Sequence, residues 1–125
     1  MDSYTQQIFE VFKEHSNNRI AIDQKAYMKN QFEFLGIKSP LRKTIQQPFL
    51  LKNNLPPKTE LNHIVATLWN ADFRELKYFT QELVAKYKSM FEKKDIDLFE
   101  QMILIKSWWD TIDFIAVHLL GTYFK

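Results

Sequence analysis

Residues 72–87 read DFRELKYFTQELVAKY. Asp72 is a residue type that caps helices. Behind it, Phe73, Leu76, Phe79, Leu83 and Tyr87 recur at the three- and four-residue steps of an amphipathic helix. Reading this stretch as a helix decides the fold, because its neighbours repeat the pattern. Upstream, Pro56-Pro57 and Thr59 mark the start of a helix over about residues 60–69, which presents Leu61, Ile64, Val65 and Leu68. Downstream, a helix begun by Asp95 carries Ile96, Phe99, Met102 and Ile103, and Ser107 opens a last one.

The N-terminal half follows the same rule. Tyr4, Ile8, Val11 and Phe12 form one face of a first helix, with Ser3 as its expected cap. A second helix is expected from about Asn18 to Phe32, carrying Ile20, Ala26, Tyr27 and Met28. Gly36 breaks the chain, Ser39-Pro40 reads as a cap and first helical residue, and Pro48 is expected to end or kink the helix that begins at Leu41. The last four helices group into two antiparallel pairs offset by about 37 residues, near the period of HEAT units. Neither pair can bury its apolar face alone, so the expected fold is all-α: helix pairs stacked as a short HEAT-like solenoid, one domain over residues 1–125. A compact helical bundle is the simpler alternative.

Composition narrows the function. Hydrophobic residues make up 46% of the chain and there are eleven Phe, enough for a core, while a charged fraction of 26% is ordinary for a soluble protein. The absence of cysteine excludes disulfides, thiolate metal sites and Cys nucleophiles, and suits a cytoplasmic location. No signal peptide and no apolar run of membrane-spanning length is present in the sequence. The net charge of +2 conceals a basic block. Between residues 19 and 58, Arg19, Lys25, Lys29, Lys38, Arg42, Lys43, Lys52 and Lys58 face only Asp23 and Glu33. Such a block is either a solvated lysine-rich face or a surface for a polyanion.

The segment 106–113, KSWWDTID, concentrates two tryptophans and two aspartates. With Ser107 as N-cap, Asp110 takes the third helical position and completes a Ser-x-x-Asp capping box, which accounts for it structurally. Asp113 has no such role. Trp108, Ile112, Ile115 and Leu119 make the apolar stripe, and Trp109 and Asp113, four residues apart, share its border. A carboxylate there is a rim residue, an ion-pair partner or a group facing a groove, and an indole beside it suits a cationic ligand.

These residues resemble a known family. KSWWDTID is similar to the Trp-Trp-Asp-Thr-Val-Asp signature of the DNA alkylation repair family, the HEAT-like-repeat 3-methyladenine/7-alkylguanine DNA glycosylases. Tyr27-Met28-Lys29 through Phe32-Glu33-Phe34, Gly36, Pro40 and Arg42 form a second match. Leu68-Trp69 with Arg74-Glu75-Leu76 and Tyr78-Phe79 form a looser third. The resemblance implies hydrolysis of the N-glycosidic bond of purines alkylated at N3 or N7 in duplex DNA, with no cofactor. It implies Asp113 as the catalytic carboxylate, Trp109 as an aromatic against the lesion nucleotide, and Tyr27 as an aromatic near the DNA backbone. Lys29, Lys38, Arg42 and Lys43, around the second motif, are candidates for phosphate contacts. Family members are longer than 125 residues and carry further catalytic-face residues beyond this point. The alternative is therefore a non-catalytic helical-repeat module binding DNA or protein, with possible self-association through an apolar face at the C-terminal end.

Other chemistries find little support in the sequence. His15, His63 and His118 lack metal-ligand spacing, so no metal is expected. Gly36 and Gly121 are isolated and form no phosphate loop, and Ser107 and Thr111 have no neighbouring base. Tyr27 reads equally as core or as DNA contact, while Trp69 and Trp108 continue apolar stripes and read as core.

Overall fold

The computed structural model describes residues 2–104 and 109–121, with Trp109 described in its backbone alone. Among the described residues the secondary structure is helical, and the all-α class expected from the periodicity is what the structure shows. The chain divides into two compact units, residues 1–56 with 71–76 and residues 57–70 with 77–125.

In the first unit, α1 (Ser3–Glu14) buries Thr5, Ile8 and Phe12. Its cap is Asp2 and not Ser3: one carboxylate oxygen accepts from the Thr5 amide at 2.8 Å and the other from the Thr5 hydroxyl at 2.9 Å. The charged group outcompetes the neighbouring hydroxyl because it satisfies two donors and complements the helix dipole. α3 (Ser39–Leu50) packs on α1, and the Tyr4 hydroxyl donates to the Phe49 carbonyl at 2.7 Å. Pro48 lies inside the last turn of α3, which runs two residues past it. There the proline forfeits only one late backbone bond, and its carbonyl is taken up by the Asn54 side chain at 2.8 Å.

α2 (Asn18–Tyr27) is capped by Asn17 and stops five residues short of the expected Phe32. The reason is a left-handed turn. Lys29 and Asn30 have φ of 55° and 60°. The Asn30 amide donates to Lys25 O at 2.8 Å and the Lys29 amide to Ala26 O at 3.0 Å. This is the paired closure of a Schellman motif, with a lysine at the position that glycine usually takes.

The chain from Glu33 to Lys38 is held by residues that return to this unit from much later in the sequence. Glu33 bridges Phe73, and the Arg74 amide donates to Glu33 O at 2.9 Å. The Glu75 carboxylate accepts three buried backbone amides: Leu35 at 2.9 Å on one oxygen, Gly36 at 2.9 Å and Ile37 at 3.0 Å on the other. The Leu35 carbonyl in turn accepts from the Asn17 amide at 2.8 Å. Gly36 has φ of +90°, and a Cβ there would lie 1.8 Å from the Asn17 carbonyl oxygen, so only glycine fits.

The second unit contains α4 (Lys58–Trp69), most of α5 (Arg74–Ala85), α6 (Asp95–Leu104) and α7 (Trp109–Phe114). Leu61, Ile64, Val65, Leu68 and Trp69 of α4 are buried, as the spacing predicts. So are Phe79 and Leu83 of α5, Tyr87 beyond it, and Phe99 and Met102 of α6. α7 continues as a π-helical stretch over Ile115–Leu120 that packs on α6 through its buried Ile115 and Leu119. Asp95 opens α6, accepting from the Glu92 amide at 2.7 Å and pairing with Lys58 at 3.1 Å. Tyr87 is buried, and its phenol is pushed up to about 12 from an ordinary 10.0, first by burial and then by the charge of Glu60.

Candidate active site

α7 holds the two aspartates singled out by the sequence. Its described part runs over Trp109–Phe114. Ser107 and Trp108, expected as cap and core, and the Trp109 side chain lie outside the described residues. The helix is fixed on one side by Thr111, Ile115 and Leu119, all fully buried, while Asp110 and Asp113 are exposed. Three residues apart on a helix, these two carboxylates share a face.

Their engagements differ. Asp110 accepts from the Thr111 amide at 2.7 Å and from the Tyr78 hydroxyl of α5 at 2.5 Å. Both of its oxygens are therefore in use. Asp113 has no side-chain hydrogen bond or ion pair among the described residues. An exposed, ionisable oxygen pair with no protein partner is available to stabilise positive charge or to orient a water.

The remaining candidates belong to the first unit. Tyr27, at the end of α2, is 87% exposed, which removes the core reading and leaves a surface aromatic. Lys29 follows in the left-handed turn and is exposed. Lys38 and Lys43, at the start and in the first half of α3, are also exposed. Arg42 differs: it is 8% exposed, and its Nη1 donates to Gln46 one turn along at 2.9 Å. Lys38 also borders a cleft of about 330 Å³ with Glu14, His15, Ser16, Asn17 and Gly36. Its side chain leaves the first amides of α3 uncapped, an electrostatic setting that favours anions.

Two residues at work here escaped the periodicity, Glu75 and Tyr78. They are polar positions on a helix whose apolar spacing alone drew attention, and their only signal was their place within the third family-like stretch. Among the described residues no group of three His, Cys, Asp or Glu side chains is placed to hold a metal ion. None of the described helices is long and apolar enough to cross a membrane.

Comparison with known proteins agrees with the motifs. The profile of the DNA alkylation repair enzyme family matches residues 8–125, and the chain belongs to that family. Among solved structures, a predicted DNA alkylation repair enzyme from Enterococcus faecalis is similar at 27% identity and a TM-score of 0.72. The match covers 85% of this chain and 54% of that one, so the present chain spans about half the length of this relative. No curated protein matches the chain significantly.

Proposed function

We propose that this protein is a DNA glycosylase that hydrolyses the N-glycosidic bond of purines made cationic by alkylation at N3 or N7 in duplex DNA. The observation that carries the proposal is Asp113, an exposed carboxylate with no partner among the described residues, in a chain of the DNA alkylation repair enzyme family. The chemistry needs little more from the protein. As the bond from C1′ to the purine nitrogen breaks, its electron pair passes to the base, cancels the charge of the alkylated ring and lets it leave neutral without a general acid. Positive charge develops on the deoxyribose, and a fixed carboxylate stabilises it while orienting the water that adds to C1′ and gives up a proton.

Trp109, at the start of α7, is assigned to the lesion nucleotide, where an indole face attracts the cationic purine. Tyr27, Lys29, Lys38 and Lys43 are assigned to the DNA backbone, supported by their exposure. Arg42, 8% exposed and donating to Gln46, is not assigned to the backbone: its guanidinium is engaged inside the first unit.

A second reading, a non-catalytic helical-repeat module for DNA, is favoured by the exposed Tyr27, Lys29, Lys38 and Lys43, which suit a DNA surface without requiring catalysis. The test is release of 7-methylguanine from methylated duplex DNA by this chain and by Asp113→Asn, each verified as folded. Release that disappears in the variant supports the glycosylase. Equal release by both overturns the role of Asp113, and release by neither, with DNA still bound, leaves the module.

A further inference from the structure

We propose that Tyr78 is a positioning residue for Asp113, acting through Asp110; the inference rests on the glycosylase reading above. α7 passes directly into the π-helical stretch over Ile115–Leu120, so one continuous helical run carries Asp110 and Asp113, and whatever sets its rotation aims both carboxylates. Apolar burial of Ile115 and Leu119 holds the helix down from one side but resists a small rotation weakly, because apolar contacts are not directional. A directional contact lies at Asp110, where the Tyr78 hydroxyl donates to its carboxylate at 2.5 Å across 32 residues of sequence. A short hydrogen bond to a charged acceptor is among the stronger ones a protein makes.

Tyr78 is itself well founded. It stands on α5 between Lys77 and Phe79, both buried, and Thr80 behind them is also fully buried. The second oxygen of Asp110 accepts from the Thr111 amide at 2.7 Å, which ties the same carboxylate to the backbone of α7. The phenol therefore grips the helix backbone through a rigid two-ended carboxylate, less than one turn before Asp113. Asp113 lies on the same exposed face and has no such fixing of its own among the described residues. Its aim at a substrate is inherited from the neighbour that Tyr78 holds. The division of labour also explains why two exposed carboxylates can sit three residues apart: the hydroxyl proton offsets part of the charge on one of them.

The test measures first-order release of 7-methylguanine from saturated methylated duplex alongside Kd for the same DNA. Tyr78→Phe keeps the ring and removes only the hydroxyl. The expected result is a release rate lower by about tenfold, short of the roughly hundredfold that a full 1 Å misplacement can cost, with Kd unchanged and the variant still fully folded at the assay temperature despite a lower Tm. Asp110→Ala should match it. Asp110→Asn, which keeps an oxygen able to accept from the phenol, should recover most of the rate. In an Asp113→Asn background Tyr78→Phe should add nothing, because the residue it aims is already gone. A wild-type rate in Tyr78→Phe overturns the inference. So does a loss matched by weaker binding or by unfolding at the assay temperature, or one that adds fully to Asp113→Asn. If the unmodified chain releases no base, the glycosylase reading itself fails and this inference falls with it, which the wild-type measurement identifies before any variant is compared.

Discussion

At the start of α5 a carboxylate is 1% exposed and bonded to three backbone amides, whereas on α7 a carboxylate stands in solvent with no partner among the described residues. Glu75 and Asp113 carry the same functional group and are employed in opposite ways. A buried carboxylate is costly unless its lone pairs are satisfied, and once satisfied it becomes a rigid fastening for the segment that supplies the donors. An exposed, unengaged one contributes little to stability and keeps its lone pairs for something else. The contrast separates what builds this protein from what is available to act.

The contrast can be broken at its strongest point first. Gly36→Ala should abolish stable folding of the first unit, with a loss above about 4 kcal/mol, because both the positive φ and the Asn17 carbonyl exclude a Cβ. Loss of the cooperative denaturant transition would show it. A well-folded alanine variant would mean that the clasp is not rigid. Glu75→Gln turns one acceptor oxygen into a donor facing a buried amide and should cost about 1–3 kcal/mol, leaving base release per folded molecule unchanged. Asp113→Asn should do the reverse: stability within about 0.5 kcal/mol of the parent, and release lower on the order of a hundredfold or more. If both variants lose stability and release together, the separation of roles is wrong.

Smaller effects sharpen the picture. Tyr87 keeps its proton more tightly when folded, at about 12 against 10.0, so its contribution is fully present below pH 10 and is lost as pH rises from 10 through 12. Denaturation midpoints measured across that window should fall, and the fall should be shallower in Tyr87→Phe. Lys29→Gly should raise stability by about 1 kcal/mol by relieving a left-handed lysine. On the functional assignment it should also weaken DNA binding and lessen its salt dependence.

Much of the fold was legible because burial writes itself into spacing. Leu61, Ile64, Leu68, Phe79, Leu83 and Phe99 all lie where a 3.6-residue period puts the inside of a helix. The helix ends were less legible. Asp2 and Ser3 are both good caps, and only the geometry at Thr5 chooses between them. No composition rule foresees lysine in a Schellman turn, so the sequence predicts an α2 that runs to Phe32, where the structure ends it at Tyr27. At the site, Asp113 could be named from a family-like motif and its place at the border of a stripe. The clasp of Glu75 and the grip of Tyr78 on Asp110 could not, since partners 40 and 32 residues away leave no local trace. The family-like stretches around Gly36 and around Arg74-Glu75-Leu76 prove to be two halves of one structural fastening.

That fastening has a consequence for the order in which the molecule is made. The three amides of Leu35, Gly36 and Ile37 leave the ribosome well before the carboxylate they require, with all of α4 synthesised in between. A nascent chain that has reached residue 56 holds α1, α2 and α3 and still lacks the group that closes the unit. A fragment of residues 1–56 should accordingly remain loosely structured and open to proteases. Residues 1–76 should be the shortest N-terminal piece in which the segment from Glu33 to Lys38 becomes protected, so birth of the first unit waits on the opening turn of α5.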